Sequence, residues 1–578
     1  METIWKNRKD VPIEKAYEVA TKYLLRPEVA MILLKREYDI DKFLTPRSYN
    51  GRLMKGAEKA AEIIENHIRE GNLICVVNDY DVDGITSGVI MADTIEFFGG
   101  RVIIETPDRE IDGYGISKRI VEKAVSSGAT LIVTTDNGIA AREELAYAKE
   151  RGLSVVVTDH HAIPFEIDEA GNKNYILPDA DVVVDPHQKG DEYPMKDICG
   201  AVVALKICEI MLERNSSKSP EMIADMEKWL LELSTLGTIC DVMPLIDENR
   251  DLVKNGLLQL RGTRDKALIS LMNEMNIDQT KISSYNIGFH IGPVLNSVGR
   301  MTGSADEAVR FLREKDEQKI LEMAKSLCKQ NEERKEENAR CEALAIEMAE
   351  GNSDRVLLLY LPNERPSLMG IVAGRIKESL NRPCVCLTDA GDGILKGSGR
   401  SIEGYDMFHY FSLHKDLFEK FGGHEGAIGL SVKKDNLGEI REAILKDAAD
   451  LPEKIFEKKV DVDLFMDIGR VTIPLVEAIN KLEPFGKENP KPIFCAKNVR
   501  AAAVQTLSEG KYLKLRFESP SGNRIDGMVF KNADKLKQMI TADEIPALDI
   551  LYSVSINTWK GNVSPQAIIE DFRVPEAA

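Results

Sequence analysis

The chain has 578 residues, 43% of them apolar and 30% charged, with a formal net charge of −19 at pH 7. That length exceeds one compact core and predicts three or four domains, while the composition excludes a disordered or fibrous chain. The acidic balance by itself points away from nucleic acid, although a cleft can be positive inside an acidic protein.

No uninterrupted apolar run approaches the roughly 20 residues that cross a bilayer, and the opening Met1-Glu-Thr-Ile-Trp lacks the layout of a secretory signal. The nine cysteines are scattered and contain no C-x-x-C pair, which argues against a disulfide framework or structural zinc. A cytoplasmic protein without membrane attachment is expected.

Residues 1–60 are read as a helical N-terminal segment. From about Asn72 to Pro186, β-branched runs (Leu73–Val77, Val102–Glu105, Thr130–Thr134, Ser154–Thr158, Val182–Val184) alternate with stretches of helical spacing such as Ser117–Ser126 and Ala140–Glu150. Near-continuous apolar strands alternating with helices predict a doubly wound α/β domain with a parallel sheet, over about 61–303, and its ligands belong beyond the carboxyl ends of the strands. Ser304 to Glu350 contains neither Gly nor Pro, and Lys329–Arg340 has no apolar face except alanine. It is read as one linking helix, 304–350, bridging domains through solvent. A second α/β domain follows over 351–455. Over 456–578 the alternation in Tyr512-Leu-Lys-Leu-Arg-Phe517 predicts a small antiparallel β-barrel.

Three strands end in acid-rich turns: Asn78-Asp-Tyr-Asp-Val-Asp-Gly84, Thr135-Asp-Asn-Gly138 and Thr158-Asp-His-His161; a fourth acid stands in Leu236-Gly-Thr-Ile-Cys-Asp-Val-Met-Pro244. Asp81 and Asp83, two apart in a segment read as extended, are expected on one side. Strand ends of a parallel sheet converge, so these carboxylates and imidazoles would repel one another unless cations were bound. Oxygen ligands with one imidazole and no thiolate suit Mn²⁺ or Mg²⁺. Enough ligands exist for two ions sharing a carboxylate, the arrangement that promotes in-line phosphoryl displacement. Taken singly, Asp-His-His also serves as a helix N-cap and D-x-D-G as a turn; four such motifs in this order favour metal binding.

Asp79-Tyr-Asp-Val-Asp-Gly84, Asp136-Asn-Gly138, Asp159-His-His161 and Gly237-Thr-Ile-Cys-Asp241 resemble the four motifs of the DHH phosphoesterases, and more narrowly the RecJ-type exonucleases of that superfamily. Pro107-Asp-Arg109, Asn296-Ser-Val-Gly-Arg-Met301, Gly370-Ile-Val-Ala373, Gly397-Ser-Gly-Arg-Ser401, Phe421-Gly-Gly-His424 and Glu483-Pro-Phe-Gly486 extend the likeness over about residues 45–575. The resemblance implies a DHH catalytic domain, a DHH-associated domain and an OB-type barrel. It implies one ion on Asp83, Asp136, His160 and Asp241, and another on Asp81 and the bridging Asp136 with Asp79 beside it. Asp136, His160 and His161 form the catalytic set, His161 facing the scissile phosphate, and the ions leave no need for a separate general base. Arg109, Arg300, Ser398, Arg400 and His424 are implied as the phosphate-binding residues that anchor a 5′ end, with the Gly422-Gly423 backbone read as a phosphate nest. In the barrel, Tyr512, Lys514, Arg516, Trp559 and Lys560 are candidates for a single-strand track.

The activity implied is two-metal, 5′→3′ exonuclease action specific for single-stranded DNA, in repair and recombination. The implied partners are single-stranded DNA, the single-stranded-DNA-binding protein and repair helicases, with the enzyme a monomer. Four departures stand out: Asn78 where Gly is usual, Val203 in Cys199-Gly-Ala-Val-Val-Ala204, Val294 in Gly292-Pro-Val-Leu-Asn296, and Arg365-Pro-Ser367 in place of His-Pro-Gly. They bear on DNA against RNA and on the need for a 5′ phosphate. Two other readings are a DHH phosphodiesterase for oligoribonucleotides or cyclic dinucleotides, which lacks the barrel, and a non-catalytic DHH scaffold, which loses metal ligands.

Overall fold

A computed structural model describes residues 3–168, 172–215, 217–518, 524–540, 545–559 and 561–575. They form two compact units: Ser48–Pro244 with Glu248–Glu457, and the segment up to Arg47 with Leu245–Asp247 and everything from Lys458 on.

The first unit contains the expected α/β sheet. Strands β1 (Leu73–Asn78), β2 (Arg101–Glu105), β3 (Ala129–Thr135), β4 (Ser154–Thr158) and β5 (Val182–Val184) pair in the order β2-β1-β3-β4-β5, all parallel. Helices α2 (Lys118–Ser126) and α3 (Arg142–Glu150) bury Ile120, Val121, Leu145 and Ala148 against Cys75, Ile132 and Val155 on one face. On the other face lie α1 (Val82–Phe97), α4 (Gly200–Arg214) and α5 (Pro220–Cys240), packed on one another. Helix α1 is buried on nearly every side, its polar Thr86, Ser87 and Thr94 included. Successive connections leave β1 and β3 towards opposite edges of the sheet, so the crevice between their carboxyl ends is the switch point where such sheets take ligands.

Residues 304–350 are not one helix, which corrects that reading. Helix α6 (Gly292–Thr302) is followed by α7 (Asp306–Arg313), then a break, then α8 (Glu317–Ala349). Asp316 causes the break: its carboxylate accepts from Gln318 N (2.9 Å) and Lys319 N (3.1 Å) and so caps a new helix. Nor is α8 solvated all round. Ile320, Ala324, Leu327, Asn331, Cys341, Ala345 and Ala349 make a buried stripe, lying against α6 and later against α9 (Met369–Leu380). Beyond Leu327 the stripe is built of small and polar residues, which a hydropathy reading passes over.

Beyond α8, strands β6 (Leu357–Tyr360), β7 (Cys384–Asp389), β8 (Ile394–Arg400), β9 (Phe418–His424) and β10 (Ala427–Lys433) form a sheet in the order β9-β10-β8-β7-β6, with β9 at an edge.

The second unit holds the expected OB-type barrel, a seven-stranded sheet between Leu464 and Arg573. The alternation at 512–517 places Leu513, Leu515 and Phe517 in its core. The chain's beginning completes this unit. Strand Ile4–Asn7 pairs in parallel with Lys459–Val462, and helix Pro27–Lys35 adds Val29, Ile32 and Leu33 to the barrel core. Arg36 forks onto Asp463 at 2.8 and 2.9 Å, both side chains 2% exposed. Among the described residues, no helix is long and apolar enough to cross a membrane.

Candidate metal centre

Each acidic motif is placed by the end of a secondary-structure element. After β1 the chain turns at once into α1, whose N-cap is Asp81; its Oδ1 accepts from Gly84 N at 3.1 Å. Asp83 therefore stands in the first turn of a helix, which corrects the extended geometry read for this pair. Its oxygens accept from Gly200 N (2.6 Å) and Ala201 N (2.9 Å) at the start of α4, a favourable place for negative charge. Asp136 follows β3 with φ +63° and donates its amide to Thr158 O at 3.0 Å. His160 and His161 follow β4, and Asp241 closes α5.

These residues converge at the switch point. His160 Nε2 lies 3.1 Å from Asp136 Oδ1, 3.6 Å from Asp241 Oδ2 and 3.7 Å from Asp83 Oδ2. Three triads have ligand atoms within 4.8 Å of one another: Asp83–His160–Asp241, Asp79–Asp81–Asp136 and Asp136–His160–His161. Asp136 joins the first two clusters through its contact with His160. Close packing explains two motif glycines. A Cβ at Gly200 would lie 2.5 Å from Asp136 Cβ, and one at Gly237 would lie 2.6 Å from Asp83 Oδ1.

Electrostatics fit divalent cations. Asp79 and Asp136 are 3% and 2% exposed, and Oδ1 of each accepts no hydrogen bond, an arrangement that is costly for a buried carboxylate. Burial, then neighbouring aspartates (Asp81 for Asp79, Asp83 for Asp136), pushes both carboxyls well above the usual range. Burial holds the His160 imidazole below its ordinary value despite the nearby Asp83, leaving it the neutral form that ligates metals. The donors are oxygen and nitrogen without a thiolate, which suits Mn²⁺ or Mg²⁺.

Carboxyls raised above 3.8 bind protons in the folded state that the unfolded chain has released, so their contribution to stability is lost as pH rises through the raised values. In EDTA the melting temperature is expected to fall as pH climbs from 5 towards 8. Mn²⁺ should reverse the fall by mass action, and Asp83→Asn/His160→Ala should remove the Mn²⁺ effect. An equal Mn²⁺ shift in that double variant would place the ions elsewhere.

His161 is set apart from His160. Its Nδ1 donates to Asp159 Oδ1 at 2.7 Å, and the Tyr114 hydroxyl lies 3.0 Å from its Nε2. Burial alone would lower its pKa, but the hydrogen bond and charge of Asp159 outweigh that and raise it to about 9. Asp159, fully buried and also accepting from Ile139 N and His160 N, is held at about 2 by His161 against its own burial. Asp159 and Tyr114 are thus positioning residues that the motif reading did not name. The Asp-His-His motif carried the first; the second stands in Gly113-Tyr-Gly115, which also resembles the family but does not reveal a contact with His161, 47 residues away in sequence.

Of the expected phosphate ligands, Arg109 and Arg300 lie beside this centre and Arg400 lies near Arg300, and all five belong to the same unit. Arg109 rests on the Tyr80 ring, 4.0 Å from its centroid, and its buried Nε has no hydrogen-bond partner. Arg300 donates to Ser367 O at 3.0 Å, and Arg400 to Gly399 O at 2.8 Å. Burial, then the charges of Arg109 and Arg334, lowers Arg300 to about 9; burial lowers Arg400 too. Among the described residues no carboxylate pairs with Arg109, Arg300 or Arg400. Clustered guanidinium groups without counter-charge form an anion site. Ser398 and Arg400 share one face of β8, turned towards Gly370 of α9. His424 and Arg400 both pair with Ala427, so they stand in one row on one face of the sheet. Gly422 and Gly423 lie in edge strand β9, opposite Gly429 and Ile428, so the expected nest is an edge strand instead.

In the barrel, Lys514 and Arg516 are both paired with Asp526, at 2.7 and 3.1 Å, and Tyr512 packs edge-on against Phe530. The Trp559 side chain and Lys560 lie outside the described residues. The four departures are absorbed structurally. Asn78 bonds Asp79 O and Thr106, Val203 and Val294 are buried, and Arg365 ties Glu337 of α8 to Met301 O.

Three family models match the chain: the DHH family N-terminal domain over residues 73–238, the DHHA1 domain over 353–450 and the RecJ OB domain over 462–571. The single-stranded-DNA-specific exonuclease RecJ of Bacillus subtilis is 32% identical over 97% of this chain and 70% of its own length. That of Salmonella typhimurium is 32% identical over 91% of this chain and 92% of its own. Among solved structures, RecJ of Thermus thermophilus in complex with Mn²⁺ superposes with a TM-score of 0.80 at 25% identity, covering 99% of this chain and 80% of that one.

Proposed function

The chain belongs to the RecJ family, and on that premise we propose that it is a single-stranded-DNA-specific exonuclease working from the 5′ end with two divalent ions. The observation that carries this reading is the pair of buried, unsatisfied carboxylates, Asp79 and Asp136, beside uncompensated arginines. Asp83, Asp136, His160 and Asp241 would hold one ion, and Asp79, Asp81 and Asp136 the other. Bound there, the ions supply Lewis acidity that activates water and offsets charge on phosphoryl oxygens. The chain's own residues do the rest. His161, kept protonated by Asp159 and braced by Tyr114, donates to a phosphate oxygen. Arg109, Arg300, Ser398 and Arg400 seat the terminal phosphate, fixing which bond meets the metals.

The barrel argues for a long polymer over a dinucleotide, and the complete ligand set argues against a scaffold. Action in repair and recombination, beside a single-stranded-DNA-binding protein and helicases in the cytoplasm, completes the proposal. The test is incubation with Mn²⁺ and end-labelled DNA and RNA strands. Degradation of single-stranded DNA that stops in EDTA is expected; an inert protein, or one that prefers RNA, would overturn the reading.

A further inference from the structure

Tyr285 and Phe289 stand one turn apart where residues 284–291 pass through a π-helical turn into α6. Their rings are 61% and 67% exposed and stack with centroids 4.8 Å apart. Two large rings stacked in water contribute little to a core and suit a binding surface. Phe289 walls a cavity of about 430 Å³ whose lining also includes Asn296, Arg300, Arg334 and Arg375. Arg334 of α8 is held by Asn331 Oδ1 (3.1 and 2.9 Å), itself 2% exposed. Arg300 and Arg334 thus bond only neutral oxygens, and among the described residues no carboxylate pairs with either. The cavity adjoins the metal centre: Arg300 belongs to both, and Asn296 Oδ1 accepts from Val82 N, between Asp81 and Asp83, at 3.1 Å.

We propose that this cavity is a nucleotide subsite for the single strand, in which Arg334 and Arg375 take a backbone phosphate beyond the reacting one and a base stacks on Phe289 and Tyr285. The proposal rests on the reading of the chain as a single-strand nuclease. Cationic walls around a π-face match a nucleotide better than a protein segment, because arginine and aromatic rings serve phosphate and base together.

The test uses Tyr285→Ala/Phe289→Ala, whose rings are exposed and whose loss leaves the core intact, and Arg334→Gln. Strands carrying 2-aminopurine at successive positions from the 5′ end are bound in EDTA, where they are not cut. One internal position is expected to be quenched in the wild type and unquenched in the double variant, with strand binding weakened roughly tenfold or more. Arg334→Gln should weaken binding and flatten its salt dependence. Cleavage of a 5′-phosphorylated dinucleotide in Mn²⁺ should stay within about twofold of wild type in the double variant. Unchanged strand binding in the double variant, or an equal loss on the dinucleotide, would overturn the subsite. So would altered inhibition by a 5′-mononucleotide with strand binding intact, which would mark a product site. A wild-type protein that neither binds nor cuts single strands would overturn the nuclease reading itself.

Discussion

Asp136→Asn is expected to abolish hydrolysis in Mn²⁺, beyond the roughly 100-fold that losing an outer partner of a metal ligand costs. The carboxylate belongs to the Asp79–Asp81–Asp136 cluster and touches His160 of the other, so under the two-ion proposal its removal would take a ligand from each ion. Asparagine is the informative substitution because φ is +63° there. Asn and Asp tolerate the left-handed region, whereas alanine adds roughly 1–2 kcal/mol of backbone cost unrelated to metal. The same change should raise the melting temperature in EDTA, since one of several mutually repelling buried carboxylates becomes neutral. It should also remove the stabilisation by Mn²⁺. Activity within about tenfold of wild type would defeat the shared-ligand assignment.

Arg400→Ala is expected to weaken single-strand binding strongly while leaving the Mn²⁺-induced stabilisation intact. Arg400 is largely buried, lacks a carboxylate partner and sits beside Ser398, so its charge is available to a terminal phosphate. Charge-assisted contacts of this kind contribute about 1.5–3 kcal/mol, or roughly ten- to a hundredfold in affinity. The deficit should shrink as salt rises, because phosphate contacts release counterions. Gly370→Ala supplies an independent check. Its Cβ would come within 2.8 Å of Arg400 Nη2, pushing the guanidinium aside without deleting it, and a smaller loss in the same direction is expected. With wild-type enzyme, a 5′-labelled strand should release short labelled products first, while a 3′-labelled strand shortens progressively and blunt duplex resists. Products appearing first from the 3′ label would overturn the 5′ assignment and leave the metal chemistry standing.

What could be read from sequence was local. Apolar β-branched runs ending in acids declare parallel strands and the polar side chains at their tips, so the gathering of Asp136 and His160 at one sheet edge is legible in sequence. Relations across the chain were not. The turn from β1 into α1 is so abrupt that Asp81 and Asp83 looked extended, although the Gly84 amide that Asp81 caps is three residues away. Tyr114 meets His161, and Arg334 meets Arg300 and Arg375, only through tertiary structure. In the barrel, Lys514 and Arg516 read as free cations because the strand carrying Asp526 had not been paired with theirs.

The union of the chain's first 47 residues with its last fifth carries a consequence for biosynthesis. Helix Pro27–Lys35 emerges from the ribosome roughly four hundred residues before the barrel strands that cover Val29, Ile32 and Leu33, an interval of roughly 20–80 s at ordinary elongation rates. Throughout it, an apolar stripe waits in the open while the larger unit is still being made. A nascent chain of this design needs a chaperone or the translating ribosome to shield its leading end, and the barrel cannot close until the last strand is made.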